Sequence, residues 1–167
     1  KQKSVIILQE QVIRLLDDTK KTIESSLKYQ MAAKDIEVIE TGNQVKMILV
    51  DKILFASGSV DISEEGKALL TIIAKSIRDS KSQNILVEGH TDNRPISGRL
   101  KNRFASNWEL SAARASAVVR FLEQTGNLPA RYLSVHGYSF HRPLASNETE
   151  EGRSQNRRIE IIVTPHK

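Results

Sequence analysis

Asp92 and Arg114 are the two residues whose types and placement could do chemistry together. Asp92 follows the apolar run Ile85-Leu86-Val87 and Glu88-Gly89, where a chain leaving a sheet commonly presents ligand groups. Arg114 lies four residues beyond Leu110 and seven beyond Asn107, spacings that put all three on one face of a helix. If the strand end and this face adjoin, an acid and a base line one small concavity. The same spacing is consistent with a plain internal salt bridge between Asp92 and Arg114, and on spacing alone both readings stay open.

Other chemistries are poorly supplied. His90 and Asp92 are two apart and share a strand face, but His136 and His141 are too scattered to complete a metal set, so no metal site is expected. Ser97 and Ser111 lack the Gly-x-Ser-x-Gly turn that exposes a nucleophile, and no glycine-rich phosphate loop occurs. The expectation is a protein with neither catalytic residues nor cofactor. Trp108, the only tryptophan, is expected to pack near the start of its helix rather than to offer a sugar-stacking face.

The elements that must position these residues follow from period and punctuation. Val5, Leu8, Val12, Leu15, Ile23 and Leu27 recur at helical steps and predict one long helix from Ser4 to Ala33. Its apolar period weakens after Leu16, which marks the segment expected to detach or rearrange. Thr41-Gly42-Asn43 is a turn signal between Ile36/Val38 and Val45/Ile48/Val50, predicting a hairpin. Ser63 can cap a helix with an acidic first turn and a buried face of Leu69, Leu70, Ile72, Ile73 and Ile77. Ile85–Glu88 is a strand, 93–106 a polar loop, and Asn107 to about Thr125 a second helix stopped by Gly126-Asn127-Leu128-Pro129. Tyr132–Gly137 and Arg158–Thr164 are strands, with a polar loop from His141 to Gln155 between them. Strands alternating with helices predict an α/β layer, two helices against one mixed sheet.

Three segments, in this order and spacing, carry a resemblance. They are Ile85-Leu86-Val87-Glu88-Gly89-His90-Thr91-Asp92-Asn93, then Asn107-Trp108-Glu109-Leu110-Ser111-Ala112-Ala113-Arg114, then Gly152-Arg153-Ser154-Gln155-Asn156-Arg157-Arg158. Together they resemble the OmpA-like family of peptidoglycan-binding domains from roughly Ile53 to Thr164. The wording of Asp92-Asn93-Arg94-Pro95-Ile96 and Phe104-Ala105-Ser106-Asn107-Trp108-Glu109-Leu110-Ser111 is most similar to its MotB-type flagellar stator branch. Very similar Trp-Glu-Leu-Ser wording occurs in type VI secretion and other envelope proteins. The resemblance implies a β-α-β-α-β-β core, two helices packed on a mixed four-stranded sheet, with an N-terminal helix and an extra hairpin. It implies a division into a linker helix and hairpin (1–52) and a binding domain (53–167).

The resemblance also implies roles. Asp92 and Arg114 would grip the zwitterionic end of the diaminopimelate in a peptidoglycan stem peptide, the acid taking the ammonium and the guanidinium fork the carboxylate. Thr91, Asn107 and Leu110 would complete the pocket. Strand alternation sends Arg157 and Arg158 to opposite faces, so one alone can face it, and the family match favours Arg157. Many relatives carry an Asp after the first-motif Phe; here the wording is Phe55-Ala56-Ser57-Gly58, as in the stator branch. A stator identity implies a homodimer, a MotA-like partner subunit in the membrane, and a periplasmic fragment of an inner-membrane-anchored parent. A docking domain with a vestigial pocket is the alternative of a different class.

Composition is consistent with these expectations. The chain has 167 residues, 39% hydrophobic and 27% charged, enough for one substantial core and an appendage. No apolar run reaches the roughly 20 residues a bilayer requires. The chain opens on Lys1 without an initiator Met, and an excised fragment whose anchor has been removed is expected. Zero cysteines exclude disulfides without naming a compartment. Ten of the twelve cations in residues 84–167 are arginines, which suits anion recognition. A net charge of +5 with no recognition motif argues against nucleic acid.

Overall fold

The structure, a computed structural model, describes residues 2–164 apart from Lys81 and Gln83; the side chain of Val12, one of the positions in the helical stripe, also lies outside the described residues. Five strands form one mixed sheet in the order β1-β2-β5-β3-β4. β1 (Ile36–Thr41) and β2 (Gln44–Val50) are the expected hairpin, and its turn residue Gly42 takes a φ of 59° that glycine adopts without steric cost. β2 pairs antiparallel with β5 (Arg158–Thr164), β5 antiparallel with β3 (Asn84–His90), and β3 parallel with β4 (Leu133–Gly137). The α/β architecture is the expected one, with one difference: the hairpin is not an extra beside a four-stranded sheet. It completes a five-stranded sheet, because the free edge of β5 offers a full ladder from Arg158 to Val163 that β2 satisfies.

Alternation along the strands divides the sheet into an apolar and a polar face. Val45, Met47 and Leu49 line up with Ile159, Ile161 and Val163 and with Ile85 and Val87 to make the floor of the core. α4 (Glu64–Ser80) and α5 (Asn107–Gln124) cover that floor, contributing Leu69, Leu70, Ile73 and Ile77 from one helix and Ala115, Val118 and Leu122 from the other. Ser63 caps α4 as expected, its hydroxyl accepting from the Gly66 N–H at 3.0 Å. Ser106 caps α5 by accepting from the Trp108 N–H, and Glu109 accepts from the Ser106 hydroxyl, a capping box that fixes where this helix begins. Two glycines bring α5 down onto the sheet. A Cβ at Gly89 would lie 2.0 Å from the Ser111 carbonyl oxygen, and one at Gly137 would lie 2.8 Å from the Ala112 nitrogen. Only residues without a side chain allow the start of α5 to touch the ends of β3 and β4.

The N-terminal helix divides differently from its sequence pattern. α1 spans Gln2–Ser26, and after Leu27 a short α2 (Lys28–Ala32) continues toward β1. Leu16, Ile23 and Leu27 are buried in the main core, and Thr19 beside them bonds its hydroxyl back to the Leu15 carbonyl at 2.7 Å. Val5, Ile6, Ile7, Leu8 and Ile13 are exposed. The segment with the weaker apolar period is therefore the docked one, and the strongly apolar half leaves these side chains uncovered beside the hairpin turn. Small and polar residues at Thr19, Thr22 and Ser26 allow α1 to lie close against α4, where the Ser26 and Ser76 hydroxyls meet at 3.4 Å.

Candidate functional site

At the end of the sheet where β3 runs out, a cleft of about 480 Å³ opens between the start of α5, the segment after β2 and the loop after Asp92. All six residues singled out from the sequence, Thr91, Asp92, Asn107, Leu110, Arg114 and Arg157, line it. Asp92 and Arg114 do not pair with one another. Asp92 Oδ2 accepts from Arg157 Nη1 at 2.7 Å, while Arg114 Nη1 donates to Asp51 Oδ2 at 3.0 Å. An internal Asp92–Arg114 salt bridge, open on spacing alone, is thus replaced by two crossed ion pairs, and both acids and both bases face one cavity.

Each side chain is held by its own element. Asp92 Oδ1 accepts from the Arg94 backbone N–H at 3.0 Å, an Asx turn that stops the chain as it leaves β3. Thr91 turns its hydroxyl to the Asp92 carbonyl at 2.8 Å, and its N–H donates to Ser139 O at 2.8 Å. Asn107 donates from Nδ2 to the Arg94 carbonyl at 3.0 Å, tying the loop to the first turn of α5. Leu110 and the Phe55 ring form the apolar wall, with the Arg114 guanidinium 5.1 Å from the ring centroid. Arg157 spans from Asp92 to Glu150, with 2.7 Å contacts at both ends. Arg158, the first residue of β5, points away from the cleft and pairs with the buried Glu160.

The site retains hydrogen-bonding capacity for a ligand. Arg114 donates from Nε and Nη2 to Ser59 O at 3.3 and 3.1 Å and from Nη1 to Asp51. That uses three of a guanidinium's five N–H groups and leaves two. Asp92 accepts one bond on each oxygen, half of what a carboxylate can take. Burial pushes the Asp51 carboxyl above its ordinary 3.8, with Arg114 and Arg157 opposing. Burial also lowers the Arg114 pKa, opposed mainly by Asp51. Burial works against the charge of Arg157 as well, but Glu150 and Asp92 outweigh it and raise its pKa.

Sequence reasoning missed Asp51, Ser59 and Glu150. Asp51 is the most consequential. It sits at the first turn of α3 (Asp51–Leu54), just past the end of β2, and no motif marks it. The carboxylate facing Arg114 thus comes from four residues before Phe55 rather than after it. Trp108 is also a correction: it is 51% exposed, because the cap geometry at Ser106 turns it outward from the buried face of α5.

This fold and this cleft define a class, and the sequence comparison agrees: the chain belongs to the OmpA family, which it matches over residues 54–157. It is 35% identical over 150 residues to Motility protein B of Bacillus subtilis (strain 168), covering 90% of this chain and 56% of that protein. The chain thus spans little more than half the length of that relative. Among solved structures, a putative MotB-like protein from Desulfovibrio vulgaris superposes with a TM-score of 0.83 at 27% identity, covering 96% of this chain and 97% of the other. The cell wall anchor of the type VI secretion system from Pseudomonas aeruginosa superposes with a TM-score of 0.78 at 35% identity, covering 86% and 97%.

Proposed function

We propose that this chain binds bacterial peptidoglycan non-covalently by holding the diaminopimelate side chain in the cleft of Asp92 and Arg114. The observation that carries the reading is the unused capacity of both groups, an acid and a base opening on one cavity with sites left for an ammonium and a carboxylate. Thr91 and Asn107 shape the mouth, Leu110 supports the aliphatic stem of the ligand, and Arg157 shares Asp92 with the incoming ammonium. The chemistry is recognition without bond-breaking. Residues 53–167 carry the ligand-facing motifs of the binding domain, and 1–52 add the hairpin that completes its sheet, the docked part of α1 and Asp51 of the cleft.

The similarity to Motility protein B supports a finer reading. The chain would be the periplasmic part of a flagellar stator subunit, anchored upstream in the inner membrane beside a MotA-like partner, paired with a second copy, and held still against the wall. The similarity to a secretion-system wall anchor favours a second parent with the same binding chemistry. Co-purification of the full-length protein from membranes separates the two by its partner subunits. Binding itself is tested by pull-down on purified sacculi with competitors. Free meso-diaminopimelate should displace the chain roughly ten- to a hundred-fold more effectively than lysine, which lacks the second carboxylate, since one charge-assisted contact contributes about 1.5–3 kcal/mol. Equal potency would mean that Arg114 reads no carboxylate.

A further inference from the structure

Next to the charged cleft lies a second concavity, about 570 Å³, whose exposed wall is aromatic. Trp108 stacks on His141 with ring centroids 5.0 Å apart, and His141 stacks on Phe140 at 4.4 Å. Trp108 is 51% exposed and Phe140 37%, so the stacked rings still present aromatic surface to water. Lys101 and Ser106 add polar groups to the same concavity. Pro95, Ile96 and Asn107 line both cavities, so the two adjoin along one shared wall.

We propose that this aromatic shelf is a sugar subsite that receives the N-acetylated glycan carried by the stem peptide in the charged cleft. The inference rests on the stem-peptide reading above and names what lies beside it. In a stem peptide two residues separate diaminopimelate from the sugar, a reach of about 10 Å when extended, so a chain seated at Asp92 and Arg114 must carry its sugar onto a neighbouring surface. The C–H face of a pyranose is apolar and flat, and an open indole ring buries it without requiring a polar partner. Lys101 stands ready for the acetamido and hydroxyl groups at the ring edge. A protein partner would need no such proximity to the cleft, whereas covalent attachment demands it.

Trp108 is the only tryptophan, so its fluorescence reports on the shelf directly. Titration of the chain with disaccharide-tripeptide, and with the same tripeptide after enzymatic removal of the sugars, gives two affinities and two spectra. The sugar-bearing ligand should bind on the order of ten-fold more tightly and shift the Trp108 emission, whereas the bare tripeptide binds without that shift. Trp108→Ala should reduce the first affinity to the second and leave tripeptide binding unchanged, and Trp108→Phe should restore part of the gain. Equal binding of both ligands, or a Trp108→Ala variant that still prefers the sugar-bearing ligand, overturns the shelf and leaves the stem-peptide reading standing. Binding of neither ligand overturns both.

Discussion

The end of the sheet and its polar face place almost the same residue types in opposite circumstances. In the cleft, Asp51, Asp92, Arg114 and Arg157 pair across a cavity open to water. On the polar face behind it, Glu88, His90, Arg158 and Glu160 pair within the protein. Arg158 Nε donates to Glu160 at 2.6 Å, His90 Nε2 lies 3.0 Å from Glu88, and Lys46 reaches Glu160 at 3.1 Å. The ring of Tyr138 stacks over His90, and the Arg158 guanidinium also donates to the Arg142 carbonyl, so the loop after β4 closes the cluster. Arg158 is 2% exposed. Ion pairs that open on a cavity can exchange a partner for a ligand; pairs closed off from water by the protein can only hold the fold. Charge type does not separate the two roles, but access does.

The sharpest test of that contrast is Arg158→Ala, which leaves Glu160 without its closest partner. Breaking a buried pair from one side costs about 3–5 kcal/mol, so denaturant unfolding should show a loss of that size, while the folded fraction still binds sacculi. An intact midpoint would mean that the cluster is not structural. In the cleft the balance should reverse. Asp92→Asn should weaken wall binding about ten- to a hundred-fold while changing stability by about 1 kcal/mol, because Arg157 keeps Glu150 as a partner. If unfolding and binding fall together there, the cleft is as structural as the cluster.

Acid sets the two regions against each other with opposite signs. Burial raises the folded pKa of Asp51 above its ordinary 3.8, so the folded state holds that proton more tightly, and the contribution to stability is lost as pH rises through the folded value. For Glu160, burial opposes the charge but Arg158 and Lys46 outweigh it and hold the carboxyl below 4.5. Its contribution is present above the ordinary value and lost as pH falls through the folded one. Asp51→Asn should therefore look better relative to the parent near neutral pH than near about pH 4, and Glu160→Gln should look worse near neutral pH than in acid. Thermal unfolding across that range checks both signs. The smallest effect is expected along α1, where the same rule of access applies to apolar groups. Deleting residues 1–14, whose described side chains are all exposed, should leave the stability of the domain within about 0.5 kcal/mol, whereas Leu27→Ala in the core should cost about 2–5 kcal/mol.

Much of this was legible in the chain itself. Helical and strand periods placed α4, α5, the hairpin and three further strands, because burying one face imposes a repeat that any reader can count. Ser63 announced its helix through local hydrogen bonds that need no distant partner, whereas the cap at Ser106 went unread. Asp92 and Arg114 stood out because strand-end and helix-face positions have a defined direction, and Arg157 was singled out by the family resemblance. What the sequence could not supply was pairing through space. Positions 51 and 114, and 92 and 157, are far apart in the chain, and only the packing of α5 against Gly89 and Gly137 and of β2 against β5 decides which acid meets which base. The same packing decided that the hairpin joins the sheet, that the weakly patterned half of α1 is the docked one, and that Trp108 faces outward. Local free energies fix elements residue by residue, whereas partners are fixed by excluded volume among elements, and that is a property of the assembled fold.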